Sequence, residues 1–238
     1  MFEAVISFFY IILYQPLFNL LVLLYNYIPG HDFGIAIICL TLIIRIILFP
    51  LSVKAVKSQK ALQTLQPKLQ ELQKQYKDDK EKQAKEILGL YKTEKINPFS
   101  GLFLALIQLP ILLALYRVFW GGLNPKELAG LYAFVINPGH INSLFLHIID
   151  LSKANLIFAI LAGLVQYFQT KMLLPNNANK LINQNKENDF ANVMQKQMVY
   201  FFPVFTVIIL ISLPSALGLY WIVSGLFSIA QQYLILKD

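Results

Sequence analysis

The sequence predicts an all-α, polytopic membrane protein with a five-helix transmembrane core, a charged helical hairpin and an N-terminal interfacial helix. Three observations carry this. Of 238 residues, 57% are hydrophobic and only 14% charged, too little polar surface to cover a soluble domain of this length. The apolar residues fall in blocks rather than at amphipathic spacing: 34–53, 99–120, 155–174, 198–213 and 215–236. The charges, net +7, gather between the blocks.

Four blocks are near 20 residues long, roughly what a helix needs to cross ~30 Å of hydrocarbon. The block at 198–213 is shorter, but Pro214 follows at once and Ser215 opens the next, which reads as a tight hairpin between two spans. The first 28 residues are a further apolar segment. They do not read as a cleaved signal, because no Lys or Arg lies near Met1, Glu3 is acidic and no small-residue cleavage site follows. Pro16 is expected to split this segment, and a helix lying in the interface is preferred over a sixth span.

The resulting division is an interfacial helix at 1–30, core spans at 31–53, 98–120, 155–175, 198–213 and 214–238, and polar segments at 54–97, 121–154 and 176–197. Segment 54–97 carries eleven lysines against six acids, and the stretch after Lys171 adds Lys180, Lys186 and Lys196. Segment 121–154 holds only Lys126 and Lys153, balanced by Glu127 and Asp150. Basic loops stay cytoplasmic, so the first and third polar segments are expected inside with the C-terminus, and 121–154 outside. Leu144, Phe145, Ile148, Ile149 and Leu151 are too apolar for a free loop and are expected as an amphipathic helix or turn on the outer leaflet.

In 54–97, Leu62, Leu65, Leu69, Leu72 and Tyr76 form one helical stripe, and Ala84, Ile87, Leu88 and Tyr91 a second. The segment is expected to be two antiparallel helices over 56–93, turning near Asp78 and Asp79, with a kink or fresh start at Pro67. Its lysines read either as a solvated, orienting face or as a docking surface for lipid headgroups or ribosomal RNA.

Arg45 is the most informative residue. It lies about 12 Å from the inner end of its span and about 18 Å from the outer end at ~1.5 Å per residue. An arginine at such depth costs at least ~3 kcal/mol and belongs in a protein interior or a wet cavity. No acid lies inside any apolar block to pair with it. Thr41 and Ser52 share its helical face. Gln108 sits mid-span, Gln166, Gln169 and Thr170 share a face, and Trp221, Ser224, Ser228 and Gln231 form another stripe. Each stripe alone fits ordinary interhelical hydrogen bonding; with Arg45 they point to a shared hydrophilic groove. Arg117, near the outer end of its span, reads as an interface anchor.

Cys39 excludes an internal disulfide and sits too deep in the chain for a lipid anchor. His31, His140 and His147 lack partners at metal-ligand spacing, and no phosphate loop is present, so no cofactor or metal is expected.

Several motifs resemble the YidC/Oxa family of membrane protein insertases: TLIIRIILFPL at 41–51, LQPKLQ at 65–70, LYKTEKINP at 90–98, LIQLPILLALY at 106–116 and LPSALGLYWIVS at 213–224. They cover nearly the whole chain in the family's order. The resemblance implies a groove open to cytoplasm and lipid and closed outside, with Arg45 at its centre. It also implies that Trp221 and the Gln166/Gln169 region help line it and that the hairpin helps receive substrates; Thr41, Gln108 and Ser224 join the expected lining from their places in the spans. Implied partners are nascent membrane proteins and lipids, with the ribosome and a protein translocation channel as further candidates and no small-molecule substrate. The implied location is the bacterial inner membrane. The short C-terminus argues against strong autonomous ribosome binding. A secondary transporter would show internal repeats, an intramembrane enzyme a Ser/His pair, an Asp pair or a zinc motif, and neither is found. A membrane-anchored docking protein would leave Arg45 unexplained. The chain is therefore expected not to be an enzyme.

Overall fold

The computed structural model describes residues 7–97, 100–121, 127–172 and 197–237. The expected loop at 176–197 lies almost wholly outside the described residues.

The first helix, α1 (Ser7–Tyr27), is continuous, so Pro16 does not split it. A widened π turn at Tyr10–Tyr14 immediately precedes the proline. Proline has no N–H for the carbonyl four residues back and its ring presses on that carbonyl, and a wider turn absorbs both faults. The same device recurs at Pro203, where a π turn at Gln197–Phe201 leads into α7 (Phe202–Leu210).

By length and composition α1 could cross a membrane. Its polar contacts run to the ends of two other helices and to the segment after α5. In its N-terminal half, the Tyr14 hydroxyl donates to Glu127 Oε2 at 2.7 Å. Arg117, close to the C-terminus of α5 (Ser100–Gly121), lies over the rings of Tyr14 and Tyr10 at 4.9 and 5.7 Å. Mid-helix, Asn19 Oδ1 accepts from the Tyr132 N–H at 2.6 Å. Near the other end, the Asn142 N–H donates to the Tyr25 hydroxyl at 3.0 Å and Asn26 Nδ2 donates to the Ile136 carbonyl at 2.7 Å. His31, just before α2 (Phe33–Ile47), sits 3.0 Å from the Tyr25 carbonyl. Tyr14 thus meets the C-terminal end of α5 and Tyr25 the N-terminal end of α2. The helix lies across those two ends, along segment 127–142.

Asp32 caps α2 by accepting the Ile35 N–H at 2.9 Å. The apolar block expected as one span to Val53 does not form a straight helix. It breaks at Leu48 and resumes as α3 (Phe49–Gln75), bent by 64°. Pro50, in the first turn of α3, is the cause: it cannot donate back across the junction and its ring excludes the carbonyl of Ile46 from an unbroken helix. At Pro67, where a kink or fresh start was expected, α3 continues unbroken. That position is exposed, so water can serve the carbonyl that the proline leaves unpaired.

Asp79 caps α4 (Lys80–Thr93) through the Lys82 N–H at 3.0 Å. Helices α3 and α4 fold back on each other: Gln83 donates to the Gln73 carbonyl at 2.8 Å and Lys68 pairs with Glu94 at 2.8 Å. Leu65 is buried in this arm, whereas Leu88 is 56% exposed.

The segment around 144–151, expected as an amphipathic helix or turn, contains two short antiparallel strands, β1 (Leu144–Phe145) and β2 (Ile149–Asp150). Leu146 and His147 both take positive φ, 50° and 60°, and the Ile148 N–H returns to the Phe145 carbonyl at 3.1 Å. That is a primed turn, which twists as strands do. Asp32 Oδ2 holds it by accepting the Leu146 N–H at 2.6 Å.

The remaining helices are α6 (Leu156–Met172), α7 and α8 (Ser215–Lys237). Helices α7 and α8 follow one another across Pro214, but both pack mainly on α6. Glycines allow the close approach. A Cβ on Gly163 would stand 2.5 Å from Val207, and one on Gly225 would stand 2.5 Å from Val165. The core joins α1, α2, α5, α6 and α8 through Phe18, Phe33, Ile37, Leu115, Phe119, Phe158 and Leu217. Around it, Ile46, Ile47, Leu109, Leu113, Leu164, Phe168, Val204, Ile208, Leu226 and Leu234 are exposed. An apolar belt of this extent is stable only against lipid.

Candidate functional site

A cavity of about 450 Å³ opens among α2, α5, α6, α7 and α8. Its wall is polar at Arg45, Gln108, Gln166, Gln169, Thr170, Tyr220, Trp221 and Ser224, and apolar at Leu112 and Phe202, with Gly225 completing it. Arg45 comes from the last turn of α2 and its Nε donates to Ser224 Oγ at 2.7 Å. Its Nη2 donates to the same oxygen. Gln108 Nε2 donates to the Tyr220 hydroxyl. Thr170 turns its hydroxyl to the Gln166 carbonyl at 2.9 Å, within α6.

Two polar features have no internal answer. Arg45 carries five N–H donors, and among the described residues no carboxylate lines the cavity. Gln166 Oε1 is buried with no hydrogen-bond partner among the described residues. A buried acceptor left unpaired costs about 1–3 kcal/mol, so a donor from water or a guest is favoured there.

Of the predicted site residues, Arg45, Gln108, Gln166, Gln169, Trp221 and Ser224 come together on this wall. Thr41 does not. It is 1% exposed, and its hydroxyl donates to the Ile37 carbonyl of its own helix at 2.6 Å. Ser52 lies past the bend and pairs with Gln231 rather than with the cavity. Sequence reasoning missed Tyr220. A tyrosine beside Trp221 in an apolar run carries no signal that separates lining from core. Arg117, expected as an interface anchor, stacks its guanidinium on the Tyr10 and Tyr14 rings of α1. Among the described residues, no group of three or more His, Cys, Asp or Glu is placed to hold a metal ion.

The fold and the cavity define a class: a helical membrane protein with one arginine in a polar recess of an apolar bundle. The comparisons give the family. The model of the "60Kd inner membrane protein" family matches residues 23–238. A "Membrane protein insertase YidC" of Wigglesworthia glossinidia brevipalpis is 34% identical over 226 residues, 94% of this chain and 36% of that protein. One of the same name from Fusobacterium nucleatum subsp. nucleatum is 32% identical over 206 residues, 87% of each chain. A solved structure, "Active YidC insertase crystal structure with the first transmembrane domain resolved", superposes with a TM-score of 0.57 at 28% identity, covering 92% of this chain and 46% of that one. The chain belongs to the 60Kd inner membrane protein family, that of the YidC/Oxa insertases, and its place is the bacterial inner membrane. It spans about a third of the Wigglesworthia relative's length and most of the Fusobacterium relative's.

Proposed function

We propose that this protein is a membrane protein insertase that passes short polar segments of its substrates through the Arg45 cavity while their apolar segments enter lipid beside it. The cavity supports this reading: one permanently charged side chain in an apolar bundle, among polar groups, with no acid among the described residues of its wall. Ser224 takes the Nε–Nη2 edge of the guanidinium and so aims it, which leaves its other donors for a carboxylate on an incoming tail. Low dielectric strengthens that attraction relative to water. A wet recess shortens the distance a polar tail travels through hydrocarbon, and burial of apolar substrate drives the last step at about 0.8 kcal/mol per CH₂. No nucleotide is required.

In this reading five spans form the core: α2 with the root of α3, then α5, α6, α7 and α8. The α3–α4 arm and the C-terminus face the cytoplasm, following the lysines. The segment 127–155 is then outside. Because α1 lies along that segment, α1 is an interfacial helix rather than a sixth span. Substrates are nascent membrane proteins, and lipids are the second partner. The ribosome and a translocation channel are partners to be tested by crosslinking from the arm.

The test is insertion into liposomes of single-span substrates with acidic or neutral tails, per folded molecule. Arg45→Ala should lower acidic-tail insertion about tenfold, equivalent to about 1.4 kcal/mol, with less effect on neutral tails. Arg45→Lys should keep part of the activity, because charge survives without the planar fork. Arg45→Glu should be worse than Ala. If Arg45→Glu matches the wild type on the acidic tail, the electrostatic role is wrong.

A further inference from the structure

Helix α8 grips the chain on both sides of the bend at Leu48. Upstream, Ser224 accepts from Arg45 Nε at 2.7 Å. Downstream, Gln231 Nε2 donates to Ser52 Oγ at 2.6 Å, and that hydroxyl reaches the Phe49 carbonyl at 2.9 Å. Both members of the second pair are buried, at 5% and 4% exposure. Phe49 meets Phe227 edge-on at 6.3 Å beside it. The two grips share one sequence offset, 179 positions. Helix α8 and the bent pair therefore advance in the same chain direction over these seven residues.

Pro50 breaks the helix at this junction, so the continuous ladder that would fix the angle is missing. The lever beyond it is long. At ~1.5 Å per residue α3 extends about 40 Å, and a change of ~10° at its root moves its tip about 7 Å. The Lys68–Glu94 bridge lies within the arm and does not tie it to the bundle. The Lys60 contact to the Leu236 carbonyl is exposed and 3.4 Å long. Ser58 Oγ of α3 donates to the Asn97 carbonyl, just before α5, at 3.0 Å, but in an exposed position, and packing of α3 on α5 adds support.

We propose that Ser52 and Gln231 are positioning residues: their buried pair sets the angle at which the α3–α4 arm stands to the Arg45 cavity, and insertion depends on that angle. The second half of the proposal rests on the insertase reading; the first does not.

The test uses the full chain in proteoliposomes, with Cys39→Ser and spin labels at Lys85→Cys on the arm and Ile148→Cys at the opposite end. Ser52→Ala and Gln231→Leu should each broaden the distance distribution about twofold without substrate. Insertion per folded molecule should fall about threefold in both. Ser52→Thr keeps the hydroxyl and should keep both properties. An unchanged distribution in Gln231→Leu overturns the latch. Broadening without loss of insertion overturns its functional role. A Ser52→Thr variant as defective as Ser52→Ala removes the hydrogen bond as the cause. The distance readout needs no substrate, so it stands apart from the insertase reading, which fails instead if unmodified protein inserts nothing.

Discussion

The Arg45 cavity and the cap formed by residues 127–155 are both polar, and they use their polar groups in opposite ways. In the cap, partners are matched. Each carboxylate oxygen of Asp32 accepts a backbone N–H, from Ile35 and from Leu146. Asp150 Oδ1 accepts from the hydroxyls of Ser143 and Ser152 and from the Ser152 N–H. The first turn of α8 is tied in as well, with the Ser215 N–H on the Lys153 carbonyl at 2.8 Å. In the cavity, among the described residues, Arg45 finds one side-chain oxygen and Gln166 Oε1 finds none. A saturated network holds a shape, because every change leaves a group unpaired. An unsaturated one gains from a guest that brings what is missing.

That contrast makes separable predictions. Cap variants should lower the amount of folded protein and leave insertion per folded molecule alone; cavity variants should do the reverse. The largest effect is expected at Gly34, where a Cβ would stand 2.1 Å from the Phe145 ring. Gly34→Ala should cost about 1–3 kcal/mol of stability through overpacking, measured by thermal unfolding in detergent. A second change, Phe145→Leu, should restore part of it. If Gly34→Ala instead lowers insertion at normal stability, the division between the regions fails.

A middle-sized effect belongs to Gln166. Gln166→Leu removes the unpaired buried acceptor, so stability should stay level or rise. Insertion of polar-tailed substrates should fall about threefold in the same liposome assay. Loss of stability would show that Gln166 holds the bundle rather than serving a guest.

The smallest effect is the acid response of the cap. The Ser152 hydroxyl first, then the Ser143 hydroxyl and further bonds from Ser152 and Lys153, outweigh partial burial and hold the Asp150 carboxyl well below the usual carboxylate range. A depressed folded pKa contributes stability that is full above the unfolded value, near ~4. It is lost as pH falls through the lower folded value. Hydrogen exchange at the Ser152 amide should therefore hold steady from neutral pH to about 5, after correction for intrinsic rates, and loosen only in stronger acid. Asp150→Asn should show the loosened state at neutral pH. Loss of protection already at pH 6 would point to a histidine instead.

Composition and block length determined the membrane class, because no fold in water covers so much apolar surface. A charge in an apolar run stands out for the same reason, so Arg45 was legible, and the 3–4 spacings of α6 and α8 brought Gln166, Gln169, Trp221 and Ser224 with it. Thr41 shared that spacing, but its hydroxyl is satisfied by its own helix, and spacing cannot report which partner a hydroxyl takes. The Pro16 break was overpredicted, and Pro67 starts no fresh helix. A proline removes one bond, and whether the helix ends depends on what a π turn or water supplies in return. The primed turn at Leu146 and His147 has none of the Gly or Asn that usually marks one. It exists because Asp32, 114 positions away, accepts the Leu146 N–H. The placement of α1 across the helix ends, the register of α8 on both sides of the bend and the unpaired Gln166 oxygen are likewise products of long-range contacts. Local sequence carries the propensity of each segment, and only packing decides which of its polar groups are left without partners.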